Sequence, residues 1–111
     1  MTSGASKRIG DLGEMIAVRF LEDRALEIVD RNVYVDGDEI DIVYRRGGEC
    51  IAVEVKTSSN GDDPLDGFDD VKMGRVQRAA SGYRLPIFAI DAIAVTLSPE
   101  GAEVRWLRGI G

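Results

Sequence analysis

The sequence predicts an α/β domain whose elements run helix, three strands, helix, two strands. Three patterns carry that expectation. Apolar residues recur at spacings of three and four over residues 9–23 and 70–83, the stripe of amphipathic helices. Residues 39–44 and 50–56 alternate instead, as half-buried strands do. Residues 87–97 are apolar apart from Asp91 and Thr96, the pattern of a strand covered on both faces. With 111 residues and 44% apolar side chains there is material for one domain and one core. Residues 9–111 are expected to form that domain. Residues 1–8 are small and polar, without the apolar run of a secretory signal, and are expected to be a disordered lead-in.

The first helix carries Ile9, Leu12, Ile16, Ala17, Phe20 and Leu21 on one stripe, with Glu14 at its edge. Gly10 and Gly13 lie on or beside the stripe; their cost in helix propensity predicts a close approach by another backbone. Residues 26–34 read as a strand, and Asp36-Gly37-Asp38 as a turn. In the next strand Ile40, Ile42 and Tyr44 are expected on one face and Glu39, Asp41 and Val43 on the other. Gly47-Gly48 is a strong hairpin signal. Beyond it Ile51, Val53 and Val55 alternate with Ala52, Glu54 and Lys56. Residues 57–68 are loop by composition, and Asp69 or Asp70 can cap the second helix, whose apolar face is Met73, Val76, Ala79, Ala80 and Tyr83. After Pro86 comes the apolar strand, then a turn at residues 98–101 and a short edge strand over 102–107. Trp106 and Tyr83 read as packing residues, and Cys50, in an apolar strand, as a small core residue.

Composition excludes several chemistries. The chain has no His, so Ser-His-Asp and Cys-His catalysis and imidazole zinc sites are out. A single Cys cannot form an internal disulfide and fits a reducing cytoplasm. No apolar run is long enough to span a membrane. The net charge of −6 argues against tight coating of nucleic acid. Much of that charge sits in Asp62, Asp63, Asp66, Asp69 and Asp70; elsewhere acids and bases nearly balance, which leaves weak or transient DNA contact open.

The hairpin register supplies the chemistry. A turn centred on Gly47-Gly48 sets Asp41 opposite Glu54 and Glu39 opposite Lys56. Two carboxylates about 4 Å apart repel by roughly 4 kcal/mol at an effective dielectric of about 20. A divalent cation would relieve that, and Mg²⁺ or Mn²⁺ would take such oxygen ligands. Lys56, two residues beyond Glu54, could then reach a water or phosphate beside the ion. The alternative is the solvated face of an amphipathic hairpin.

Asp41 followed by Glu54-Val55-Lys56 resembles the PD-(D/E)xK nuclease signature, and more closely the chain resembles the YraN-like endonucleases, kin to archaeal Holliday-junction resolvases. The resemblance runs in order through Gly10-Asp11-Leu12-Gly13-Glu14 with Ala17, Arg31-Asn32, residues 37–42, Val53-Glu54-Val55-Lys56, Lys72 with Arg75, and Asp91. It implies a restriction-endonuclease-like three-layer core, a mixed sheet of about five strands flanked by two helices. It further implies metal binding by Glu14, Asp41 and Glu54 and assistance to the attacking water by Lys56. On the second helix, Lys72 falls on the apolar face and reads either as reaching the site or a phosphate or as a snorkelling stem, and Arg75 either as a surface charge or as a contact to backbone phosphate. Relatives that cut two strands often act as dimers. Two departures remove positive charge where DNA would lie: Thr57-Ser58 leads into the acidic run, and Ala89 stands where an Arg is usual. Two functions stay open: a metal-dependent endonuclease on branched or structured DNA, or a nuclease-fold module with little or no activity that docks a protein partner through its acidic loop. Asp91 reads as a structural acid.

Overall fold

The computed structural model describes residues 3–111, the side chain of Ser3 excepted. Its elements are α1 (Ser3–Glu22), β1 (Glu27–Val35), β2 (Asp38–Arg46), β3 (Glu49–Ser58), a 3₁₀ turn (Pro64–Gly67), α2 (Asp70–Gly82), β4 (Ile87–Ser98) and β5 (Gly101–Leu107). The five strands form one sheet in chain order, antiparallel except for the parallel pair β3–β4. The mixed sheet and its two helices make the α/β three-layer core that the sequence led one to expect.

Each helix covers one face. Ala17, Val18 and Leu21 of α1 pack on Ile42, Tyr44, Ile51, Val53, Val55, Ile93 and Val95. Val76 and Ala79 of α2 pack with Tyr83 on Ile40, Val43, Cys50, Ala52 and Ile90. Each fully buried Leu, Ile or Val contributes roughly 1.5–3 kcal/mol, so the two clusters hold the layers together. Cys50 is a core residue, as expected. Trp106 packs edge-on against Phe20 and Tyr44, and its Nε1 donates to Asp91 at 2.9 Å. Tyr83 donates to Asp30 at 2.9 Å.

Three expectations need correction. α1 begins at Ser3, so the described part of the supposed lead-in is helical; Met1 and Thr2 lie outside the described residues. Ala5, Lys7 and Arg8 are good helix formers, and Lys7 is paired with Asp11 at 3.1 Å one turn on. Within the expected loop, Asp63 caps the 3₁₀ turn by accepting from the Leu65 amide at 3.0 Å. The strict alternation of β2 also fails. Ile40 belongs to the α2 face with Val43, whereas Ile42 and Tyr44 face α1. The strand turns over at Asp41.

Candidate metal centre

The break at Asp41 originates in the neighbouring strand. β1 and β2 pair at Arg31↔Ile42 and Val33↔Ile40, with no pairing at Asn32 and Asp41 between them. Asn32 adopts a left-handed backbone, φ 51°, which Asn tolerates better than most residues. On the other side, the β2–β3 ladder follows the expected register from Arg46↔Glu49 to Ile42↔Val53 and then stops. Beyond that point β2 pairs only with β1, and β3 only with β4. The sheet forks, and Asp41 and Glu54 sit where it opens.

A fork strands backbone donors that a ladder would have used. The Val55 N–H finds Asp41 Oδ2 at 2.8 Å, so a carboxylate takes the place of a β2 carbonyl. Asp41 and Glu54 are 6% and 7% exposed, and their carboxyl groups lie within hydrogen-bonding reach of each other. Burial, then the Glu54 charge, push the Asp41 pKa up to about 8, partly offset by the Val55 N–H. Burial also raises Glu54, against the opposing pull of Lys56 and Lys72. Lys56 Nζ stands 3.7 Å from Glu54 Oε2. Burial, followed by a contact with Lys72, lowers its pKa.

Glu14 reaches the fork from α1 because Gly13 lets the helix lie against β3. A Cβ on Gly13 would fall 1.8 Å from Thr57 Oγ1. The close approach predicted for the helix glycines is therefore real at Gly13, against a side chain; a Cβ on Gly10 would meet nothing within 4 Å. Glu14 Oε1 accepts from Asn32 Nδ2 at 2.7 Å, and the same amide donates to Glu39 Oε2 at 3.2 Å. Burial leads the causes that raise Glu14.

The structure thus brings Asp41, Glu54 and Lys56 into contact and holds Glu14 beside them. Among the described residues no three acidic side chains converge into a metal cage, for Glu14 is turned to Asn32. Nor does Glu39 pair with Lys56. The fork separates their strands, and Glu39 sits opposite Tyr34 in β1. Asn32 and Glu39 are therefore site neighbours that strand alternation did not single out. The signal for Asn32 was an Asn inside a strand pattern, where a left-handed kink is the economical reading.

Two grooves meet at the fork. One, of about 510 Å³, lies between α1 and the 57–67 loop and is lined by Glu14, Lys56, Asp62, Asp63 and Asp66 among others. The other, of about 490 Å³, runs between the β1–β2 turn and α2 and is lined by Tyr34, Glu39, Asp41, Glu54, Lys72 and Arg75. Lys72 is half-buried and turned toward Lys56 and Glu54, while Arg75 is exposed. Arg78 is a surface charge paired with Asp38 at 3.4 Å. Asp91 lies apart from the fork on the α1 side. It is 2% exposed and accepts from Tyr44 Oη at 2.5 Å, Trp106 Nε1 at 2.9 Å and the Gly109 amide at 2.8 Å. With three donors satisfied, it is a structural acid.

Residues 13–95 match the model of Uncharacterised protein family UPF0102. That span contains every residue of the fork. A UPF0102 protein of Dictyoglomus turgidum is 36% identical over 109 residues, covering 91% of this chain and 92% of its own. One from Wolinella succinogenes is 33% identical over 110 residues, covering 95% and 97%. A third, from Renibacterium salmoninarum, is 37% identical over 113 residues, covering 93% and 95%. Matched across nearly its whole length, with the acidic fork inside the matched region, the chain belongs to the UPF0102 family.

Proposed function

We propose that this chain is a divalent-metal-dependent endonuclease acting on branched or structured DNA in the cytoplasm, of the PD-(D/E)xK type and akin to the YraN-like enzymes. The observation that carries the reading is the fork: two buried carboxylates in mutual contact with a lysine 3.7 Å from one of them. The donor set fits the ion. Asp41 and Glu54 offer only oxygens, which Mg²⁺ and Mn²⁺ prefer, and burial disfavours the ionised pair unless a cation compensates it.

Asp41 and Glu54 are the residues to hold the ion; Glu14, which bonds Asn32 in this structure, would become a third ligand only by turning its carboxylate to the fork. When bound, the ion supplies polarisation of the phosphodiester and a water of lowered pKa. Lys56 orients the attacking water and neutralises charge developing on the phosphate. Lys72 and Arg75 engage phosphate oxygens of the strand.

Calorimetric titration with Mn²⁺ and Mg²⁺, with and without a branched DNA, tests this on wild type beside Asp41→Asn and Glu54→Gln. Binding that disappears in both variants, together with cleavage that follows the same pattern, is expected. Absence of binding even with DNA present would overturn it. The exposed acids of the 62–70 segment would then favour the second reading, a module docking a basic protein through that loop.

A further inference from the structure

Tyr34, in the edge strand β1, is 71% exposed. It lines the same groove as Asp41, Glu54, Lys72 and Arg75. Lys72 and Arg75, three residues apart on α2, share a helix face, and neither is in an ion pair among the described residues. Asp38 in this groove is matched by Arg78, and Glu39 accepts a hydrogen bond from Asn32. The opposite groove is lined by Asp62, Asp63 and Asp66 with Lys56, Asp63 being paired to Arg105, and has no exposed aromatic ring among the described residues. Phe88, also exposed, sits by Gly48 and Leu85 in a different groove, away from the fork.

We propose that Tyr34, Lys72 and Arg75 form a cradle for an unpaired nucleotide, so that DNA reaches the fork as a single strand, with a base stacked on Tyr34 and its phosphates on the two cations. This deepens the nuclease reading by naming the form of substrate the site takes. An open aromatic ring accepts any base, because every base has a π-face, and stacking gives affinity without sequence preference. Two cations suffice to register a strand but not to hold a duplex, which agrees with the chain's acidic balance. The substrate is therefore a flap, a frayed end or an open junction rather than continuous duplex.

The test is binding, measured without cleavage in Ca²⁺ at low salt. The probes are an oligonucleotide single strand, a flapped duplex and a blunt duplex, the unpaired segments labelled with 2-aminopurine. Tyr34→Ala is expected to weaken single-strand and flap binding about tenfold and to abolish the stacking quench of 2-aminopurine. Tyr34→Phe should retain both, and blunt-duplex binding should not change. Tyr34 is exposed, so the variants should unfold at the wild-type temperature. Equal binding of all three probes by wild type and Tyr34→Ala would overturn the proposal, as would equal loss in Tyr34→Ala and Tyr34→Phe. Wild type that binds none of the probes would overturn it too. Tyr34-dependent strand binding in a protein that cleaves nothing with Mg²⁺ or Mn²⁺ would sink the nuclease reading and leave the cradle standing. Cleavage insensitive to Tyr34 would do the reverse.

Discussion

Asp41 pays for its position at the fork with ionisation. Its pKa near 8 in the folded chain lies far above the usual carboxylate value near 4, because burial and Glu54 both oppose the charge. The folded state therefore binds more protons than the unfolded state between those values, and stability falls as pH rises through that window. With chelator present, the melting temperature is expected to drop by several degrees between pH 5 and pH 8.5, a slope that Asp41→Asn should largely remove. Asparagine can still accept the Val55 N–H, so the variant should melt higher than wild type at the alkaline end. Thermal scans across pH decide it; a flat wild-type profile would contradict the assigned burial. Asp91 has a structural part instead, since three donors satisfy its buried oxygens. Asp91→Ala would strand a buried phenol and two N–H groups and is expected to cost about 3 kcal/mol or more in urea titrations. Asp41's place beside Glu54 was legible from the hairpin register, and Asp91's structural part from its place in a buried apolar strand. Asn32's contact with Glu14 was not, because an Asn in a strand pattern signals a left-handed kink but not which side chain that kink brings it to.

The helices and strands followed from periodicity because each buries one stripe or face, and burial leaves a trace every 3.6 or two residues. The hairpin register was equally legible, since Gly47 takes a left-handed φ of 63° and centres the turn. What periodicity could not reveal was where the ladder would stop. Alternation presumes a continuous pleat, and a strand that turns over at Asp41 sends Ile40 to the other face. The start of α1 was missed for a related reason, as a polar helical turn with little core to bury has no stripe. The two glycines of that helix make contrasting predictions. Gly13→Ala would drive a Cβ into Thr57 and should cost about 1–3 kcal/mol, recovered in part by Thr57→Ala. Gly10→Ala meets nothing within 4 Å and should stabilise the helix by up to about 1 kcal/mol. Denaturant midpoints of the three variants would show whether the α1–β3 approach is as close as described.

Across the whole molecule acids outnumber bases, and they line both grooves that reach the fork. The acids of the 57–67 loop border one groove, with Asp63 held to Arg105 of β5 at 2.5 Å, while Lys72 and Arg75 border the other. The fork lies between them, and Lys72 and Arg75 share their groove with Asp38, Glu39 and the carboxylate pair itself. The order of the strands has a further consequence, for folding speed. β1–β2, β2–β3 and β4–β5 each close through a tight turn, but β3 and β4 can meet only after the loop and α2 have been traversed. Loop closure of that length is the one large entropic debt in the topology, so docking of β4 on β3 should limit the rate. Ile93→Val, at the centre of that seam, is then expected to slow refolding, whereas Val33→Ala in the edge strand should mainly hasten unfolding. If the two arms of the chevron respond that way, the β2–β3 hairpin that carries Asp41 and Glu54 is joined by β4 at the rate-limiting step, and the edge strand β1, which brings Asn32 to Glu14, packs only afterwards.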